Sequence, residues 1–160
     1  MQSYHIRKKE REIKDKNKIK GILKGGKYAT ISMCREKEPY IVTLSYGFDE
    51  EQYALYFHSA NLGLKLDILK ENSYVCGTII EDLGYISGAC SHKYRSIIFW
   101  GDIMIINEIE EKKHGFDVLL NHLEENPSKM KKRFFKTEKA YHDTCVMKLA
   151  IKSIFGKASE

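Results

Sequence analysis

The chain has 160 residues, is 42% hydrophobic and 31% charged, and carries a formal net charge of +5. That length fits one domain able to bury a real core, and no apolar run approaches the roughly 20 residues a membrane helix needs. The 27 bases are interspersed with 22 acids. The two densest basic runs, Arg7-Lys8-Lys9 and Lys129, Lys131, Lys132, Arg133, lack interleaved aromatics, so they read as solvated surface and nucleic acid is not the expected partner. The first 20 residues, "MQSYHIRKKEREIKDKNKIK", have no apolar h-region, which sets the expected home as the cytoplasm. Four cysteines, Cys34, Cys76, Cys90 and Cys145, form no C-x-x-C pair; no disulfide framework or structural metal site is expected.

In chain order, residues 1–14 read as a charged arm and residues 15–157 as one domain. A short helix follows the arm, with Asp15 or Asn17 as its cap, Ile19, Ile22 and Leu23 on its apolar side, and Gly25-Gly26 as its stop. "KYATISMC" and "PYIVTLSYGF" have the period-two pattern of strands joined by the short polar "REKE". "DEEQ" leads in the same way into "YALYFHS". A helix is predicted from about Leu62 to Asn72, with Leu62, Leu66 and Leu69 at helical spacing. "SYVCGTIIED" reads as a strand, "GYISGACSHK" as a Gly/Ser loop or irregular strand, and "YRSIIFWGDIMIINE" as a long strand. Phe116, Leu119, Leu120 and Leu123 predict a helix over 109–125. Residues 126–139 read as a basic loop, and "TCVMKLAIKSIFGK" closes the chain as a strand. The sum is a mainly β fold: a six-stranded antiparallel barrel with peripheral helices.

The most informative stretch is "LYFHSANLGLKLDILKEN", where a strand runs into a histidine, a hydroxyl, a glycine and a lysine at a helix start. A helix start offers N–H donors and a favourable dipole to an anion. Gly63 lets the backbone come close, Lys65 adds a point charge, and Ser59 and His58 offer side-chain donors.

Four pieces in order, "ILKGGKYATIS", "PYIVTLSYGF", "LYFHSANLGLKLDILKEN" and "YRSIIFWGDIMII", resemble the FMN-binding split-barrel proteins related to pyridoxamine 5′-phosphate oxidase. The resemblance covers about Ile13 to Lys157. Within that family the chain looks most like the nitroimidazole-resistance reductases. The resemblance implies a homodimer with FMN in two clefts at the interface. It places Lys65 on the family's phosphate-binding lysine and Phe57-His58 where a strand end lines ribityl and phosphate. It puts Arg95-Ser96 on a strand whose early residues reach the cofactor. Tyr40, Ile41, Val42, Thr43 and Leu44 would run under the isoalloxazine, their backbone groups meeting its polar edge. The chain departs from the oxidase at Leu64, where the oxidase has arginine. It also lacks a late Trp…Arg pair, since its one tryptophan, Trp100, lies inside a strand; pyridoxamine phosphate oxidation is therefore not the expected reaction.

The expected function is that of an FMN-dependent oxidoreductase acting on a small, for example nitroaromatic, substrate, with NAD(P)H as the candidate electron donor. No catalytic side chain is assigned, because the flavin itself carries such chemistry. The alternative is a non-catalytic cofactor or haem-handling protein with His58 or His92 as iron ligand; a deazaflavin cofactor is a third possibility. Cys90-Ser91-His92 reads as a polar loop, because no oriented acid is evident in the sequence. His114 and His122 read as helix-surface histidines.

Overall fold

The computed structural model describes residues 6–160; residues 1–5 of the expected arm lie outside the described residues. The rest of that arm holds a one-turn 3-10 helix, Lys9–Arg11, and a two-residue strand β1, Glu12–Ile13. β1 pairs with the end of the last strand, Glu12 with Lys157 and Ile13 with Gly156. Helix α1, Lys16–Gly25, is capped by Asp15, whose carboxylate accepts from the Asn17 N–H at 2.8 Å. Seven further strands follow: β2 Tyr28–Arg35, β3 Glu38–Ser45, β4 Gly47–Asp49, β5 Ala54–Ser59, β6 Tyr74–Ile86, β7 Ser91–Ile106 and β8 Cys145–Ser159.

All pairings are antiparallel, and the sheet runs β3-β2-β6-β7-β8-β5-β4. It curls so that β3, at one edge, comes within 8 Å (Cα to Cα) of β5, near the other, although no ladder joins them. This is the split of a split barrel. Eight strands stand where six were expected because β1 and β4 are too short to show a period. The Gly/Ser segment after Asp82 continues β6 and β7 as a hairpin arm, with a register shift between Asp82 and Tyr85.

The core follows from alternation. Ala29, Ile31 and Met33 of β2, Val75 and Ile79 of β6, and Ile97, Phe99 and Ile103 of β7 all point inward. Ile19, Ile22 and Leu23 of α1 plug the barrel. So do Leu66, Ile68 and Leu69 of α2, Leu64–Glu71. Each fully buried side chain of this size contributes roughly 1.5–3 kcal/mol. A bulge between Trp100 and Gly101 leaves Lys152 as an extra residue in β8. Met147 and Leu149 face the core before it; Ile154 and Gly156 do so after it. Added parity lets one strand serve two packing environments. Only glycine fits at Gly101, where a Cβ would lie 2.0 Å from the Ala150 carbonyl oxygen.

Outside the barrel, helix α3, Ile109–Leu123, covers the outer face of β5 and β8. It builds a second apolar cluster from Tyr56, Phe116, Leu119, Tyr141 and Val146. Residues 126–139 are not a loop. They contain α4, Pro127–Phe134, and the start of α5, Glu138–His142. Proline at N1 and the Asn126 side chain, accepting from the Lys129 N–H at 3.0 Å, start α4.

Candidate functional site

β5 ends at Ser59, and the chain reaches α2 through Gly63. Gly63 has φ 141° and ψ 159°, a region essentially confined to glycine. A Cβ there would meet nothing within 4 Å, so the backbone conformation, not crowding, demands glycine. The Gly63 carbonyl accepts from Leu66 N–H at 2.9 Å and Asp67 N–H at 3.3 Å. No side chain caps the helix. The first N–H groups, at Leu64 and Lys65, are therefore open to an outside acceptor.

The electrostatics agree. Lys65 has no carboxylate partner among the described residues. Burial pushes the nearby Cys145 thiol up, and Ser59 and the lysines Lys112, Lys65 and Lys70 oppose it; Lys70 also pairs with Asp67 in the first turn of the same helix at 3.7 Å. Lys112 is itself buried, donating to the carbonyls of Tyr141 and Thr144 at 3.2 and 3.0 Å. The helix start after β5 is uncapped and flanked by Lys65.

The predicted residues sort into three places. Phe57, His58, Ser59, Gly63 and Lys65 cluster at this helix start, but the Phe57 side chain is fully buried in the core, leaving only its backbone to reach outward. His58 alternates to the other face, its ring 6.2 Å from that of Phe116. Tyr40 to Leu44 lie on the edge strand β3 across the split. Tyr40, Val42 and Leu44 pack on the core, while Ile41 is 64% exposed. Thr43 Oγ1 meets Thr30 Oγ1 at 3.0 Å. As an edge strand, β3 keeps one row of backbone N–H and C=O groups unpaired, next to the cluster.

Set against known proteins, the family model for pyridoxamine 5′-phosphate oxidase matches residues 15–158. The chain belongs to that family. No curated protein matches it in sequence. Among solved structures it is similar to a protein from Bacteroides thetaiotaomicron described as a candidate 5-nitroimidazole antibiotic resistance protein. The two share 25% identity and a TM-score of 0.78, over 93% of this chain and 90% of that one. It has the fold of an FAD and heme binding protein from Mycobacterium smegmatis, with 20% identity and TM-score 0.78 over 94% of this chain and 74% of that one. It also has the fold of a flavocytochrome from Azotobacter vinelandii, with 16% identity and TM-score 0.77 over 98% and 73%.

The third group stands apart. Arg95 and Ser96 lie opposite Ala158 and Lys157, whereas Ser59 lies opposite Cys145. Nearly the whole 15-residue length of β8 separates them, roughly 40 Å along the strand at about 3.3 Å per residue. Arg95 is paired there with Glu81 at 3.5 Å and with Glu160. One chain does not bring Arg95 and Ser96 to the Lys65 cluster.

The histidines divide likewise. His92 has an acid after all, Asp82 at 2.7 Å, on the exposed hairpin arm; its ring also meets Tyr85 edge-on at 5.9 Å, and no contact joins it to Cys90 among the described residues. His122 is not a surface histidine: it accepts from the Phe48 N–H and donates to the Gly26 carbonyl at 2.6 Å, fastening α3 to β4 and the end of α1. His114 bonds Asp49 at 2.7 Å. Among the described residues no group of three His, Cys, Asp or Glu side chains could hold a metal, and no helix is long and apolar enough to cross a membrane.

Sequence reasoning missed the apolar cavity beside His58, lined by Phe116 and Leu120 of α3 and by Phe134 and Phe135 at the end of α4. The Asn126-Pro127 start signal would have revealed its outer wall.

Proposed function

We propose that the chain binds a flavin, FMN, and serves as an oxidoreductase of a small molecule, with NAD(P)H as electron donor. One observation carries the reading: the uncapped, lysine-flanked start of α2, entered through Gly63 and facing an edge strand across the split of the barrel. The residues fit the group. Leu64 and Lys65 N–H and the Lys65 ammonium would hold the phosphate, joined by the Ser59 hydroxyl once it turns from the Ala60 carbonyl to which it donates at 2.9 Å. The unpaired backbone edge of β3, from Tyr40 to Leu44, would meet the polar edge of the ring. When bound, the flavin would supply the hydride or electron transfer; the protein binds and orients it. The flavin named in two fold neighbours and the nitroimidazole resistance named in the first support this reading and a nitroaromatic as one substrate to try.

In the same reading the protein is a homodimer. Arg95 and Ser96 would reach a flavin only from a second copy. The outer face of the sheet supports a partner, since Ile41, Ile80 and Tyr28 are each more than 60% exposed there, with Met104 at 47%. The absorption spectrum of the freshly purified protein, with released ligand identified by mass, tests the proposal. A two-band flavin spectrum with FMN released is expected. A haem band in its place, or a colourless protein that takes up no added FMN, would overturn it.

A further inference from the structure

The cavity beside His58 measures about 450 Å³, within the range of roughly 300–1,000 Å³ typical of small-molecule sites. It opens between the end of β5 and the layer formed by α3, α4 and α5. Its wall is a fixed aromatic cluster. The rings of Phe116 and Phe135 are 4.3 Å apart, and Phe135 stacks on Tyr141 at 4.7 Å. Leu120 and Leu123 complete the apolar lining, and Phe134 forms an outer lip that is 58% exposed, with the Arg133 guanidinium 5.1 Å above its ring. Flat walls of this kind favour flat ligands.

The polar groups are few and specific. His58 lines the cavity and has no hydrogen-bond partner in the protein among the described residues. Its apolar surroundings lower its pKa from the ordinary 6.5, so near neutral pH the ring carries no charge and keeps one N–H to donate. Thr144 adds a hydroxyl that donates to the Ala140 carbonyl at 3.3 Å and so faces the cavity as an acceptor. Glu124 lies at the same cavity and the Arg133 guanidinium stands at its lip, so the two charges offset each other, and the neutral imidazole offers a hydrogen bond without a charge.

We propose that this cavity binds an uncharged, flat aromatic molecule carrying a carbonyl-type oxygen, to which the His58 ring donates a hydrogen bond. The proposal goes beyond the flavin reading and does not depend on it, because the cavity lies on the face of β5 turned away from Ser59 and Lys65. His58 and Ser59 are consecutive and alternate across β5, so the cavity and the phosphate seat share the end of one strand.

Prodan, an uncharged naphthalene ketone whose emission moves to the blue in apolar surroundings, is the probe. Titrated into the protein as purified, it should give a saturable blue shift with one site per chain. Leu120→Trp, which fills the cavity, should weaken binding about tenfold or more, and His58→Phe, which keeps the apolar wall but removes the donor, about three- to tenfold. Should Leu120→Trp lose its cooperative melt, Thr144→Trp blocks the opposite wall. No saturable shift, or undiminished binding in a folded cavity-filling variant, overturns the site. Binding lost on filling but unchanged in His58→Phe overturns the hydrogen-bond assignment. Flavin content is read on the same samples by absorbance after FMN addition. A protein that binds prodan but no flavin defeats the flavin reading and leaves the cavity standing; one that binds flavin but no prodan does the reverse.

Discussion

Two histidines, His122 on α3 and His58 at the end of β5, are under similar electrostatic pressure and opposite chemical circumstances. Apolar surroundings lower the pKa of both. At the junction of α1, β4 and α3, both ring nitrogens of His122 are engaged by backbone groups, and Tyr46 lies alongside, its ring 4.9 Å away and its hydroxyl donating to the Leu23 carbonyl at 2.7 Å. Around it Asp49 is also fully used, accepting from Glu51 and Gln52 N–H and from His114. At the end of β5, His58, Lys65 and the first N–H groups of α2 have no such partners among the described residues. Buried and half-buried polar groups are normally paired. Where they are, they hold the fold. At the end of β5, His58 and Leu64 are exposed and Lys65 is half-exposed, so water satisfies them until a ligand takes its place.

The largest expected effect separates the two regions directly. His122→Ala leaves the Gly26 carbonyl and the Phe48 N–H without their side-chain partner, at about 1–3 kcal/mol for each group left unsatisfied. His58→Ala orphans nothing in the protein. Urea melts should therefore show a drop of several kcal/mol for the first and almost none for the second. Equal losses would mean that His58 is a structural residue like its counterpart.

Lys65→Ala should act on the ligand and not on the fold. Loss of a charge-assisted contact of about 1.5–3 kcal/mol weakens FMN retention roughly tenfold to a hundredfold, with the melting curve unchanged. Arg95 sharpens the point, because its two carboxylate partners already satisfy it within the chain. In the dimer reading Arg95→Ala also weakens FMN retention, and mixing refolded Lys65→Ala and Arg95→Ala chains restores sites that neither variant has alone. Failure of the mixture to recover flavin would place Arg95 outside the site.

Gly63→Ala comes next. Its φ of 141° costs a side-chain-bearing residue about 1–3 kcal/mol, and the open space around it gives no compensating contact. Relief of that strain would rotate the Leu64 and Lys65 N–H groups, so flavin affinity should fall more than the melt does. A variant that binds flavin normally would show that the uncapped turn is not the seat.

Much of this was legible in the sequence because it depends on short-range patterns. Alternation in "PYIVTLSYGF" marks β3, and "HSANLGLK" marks the helix start through glycine and lysine chemistry that acts within a few residues. The strands β1 and β4 have two and three residues, too few for any period, and only tertiary pairing makes them strands. The segment 126–139 hid two helices because its apolar residues are sparse and its bases dominate. With α4 and α5 unread, the cavity they wall could not be foreseen. The partners of His122 lie 96 and 74 residues away, beyond the reach of any local pattern, and its position on α3 alone reads as surface.

The smallest expected effect is a pH dependence that apportions the two histidines. In His122 burial lowers the pKa, with Lys27 adding to this and the Gly26 carbonyl opposing it; in His58 the apolar surroundings act alone. Both native values lie below the 6.5 of the unfolded chain, so between those limits the unfolded state binds more protons than the folded one. Stability is full above 6.5 and falls as the pH drops through the lowered native values. Asp49 works in a lower window: burial raises it, but the Gln52 and Glu51 N–H groups and His114 together pull it below 3.8, so its contribution fades only as the pH falls past that value. Melts of the wild type and of His58→Phe at pH 7 and about pH 5 should both show the loss, slightly smaller in the variant. Most of the drop then belongs to His122, which must give up an accepted hydrogen bond to take a proton. If His58→Phe abolished the drop, His58 would be the histidine locked in the neutral state, and the distinction between the fastened ring and the waiting one would have to be reversed.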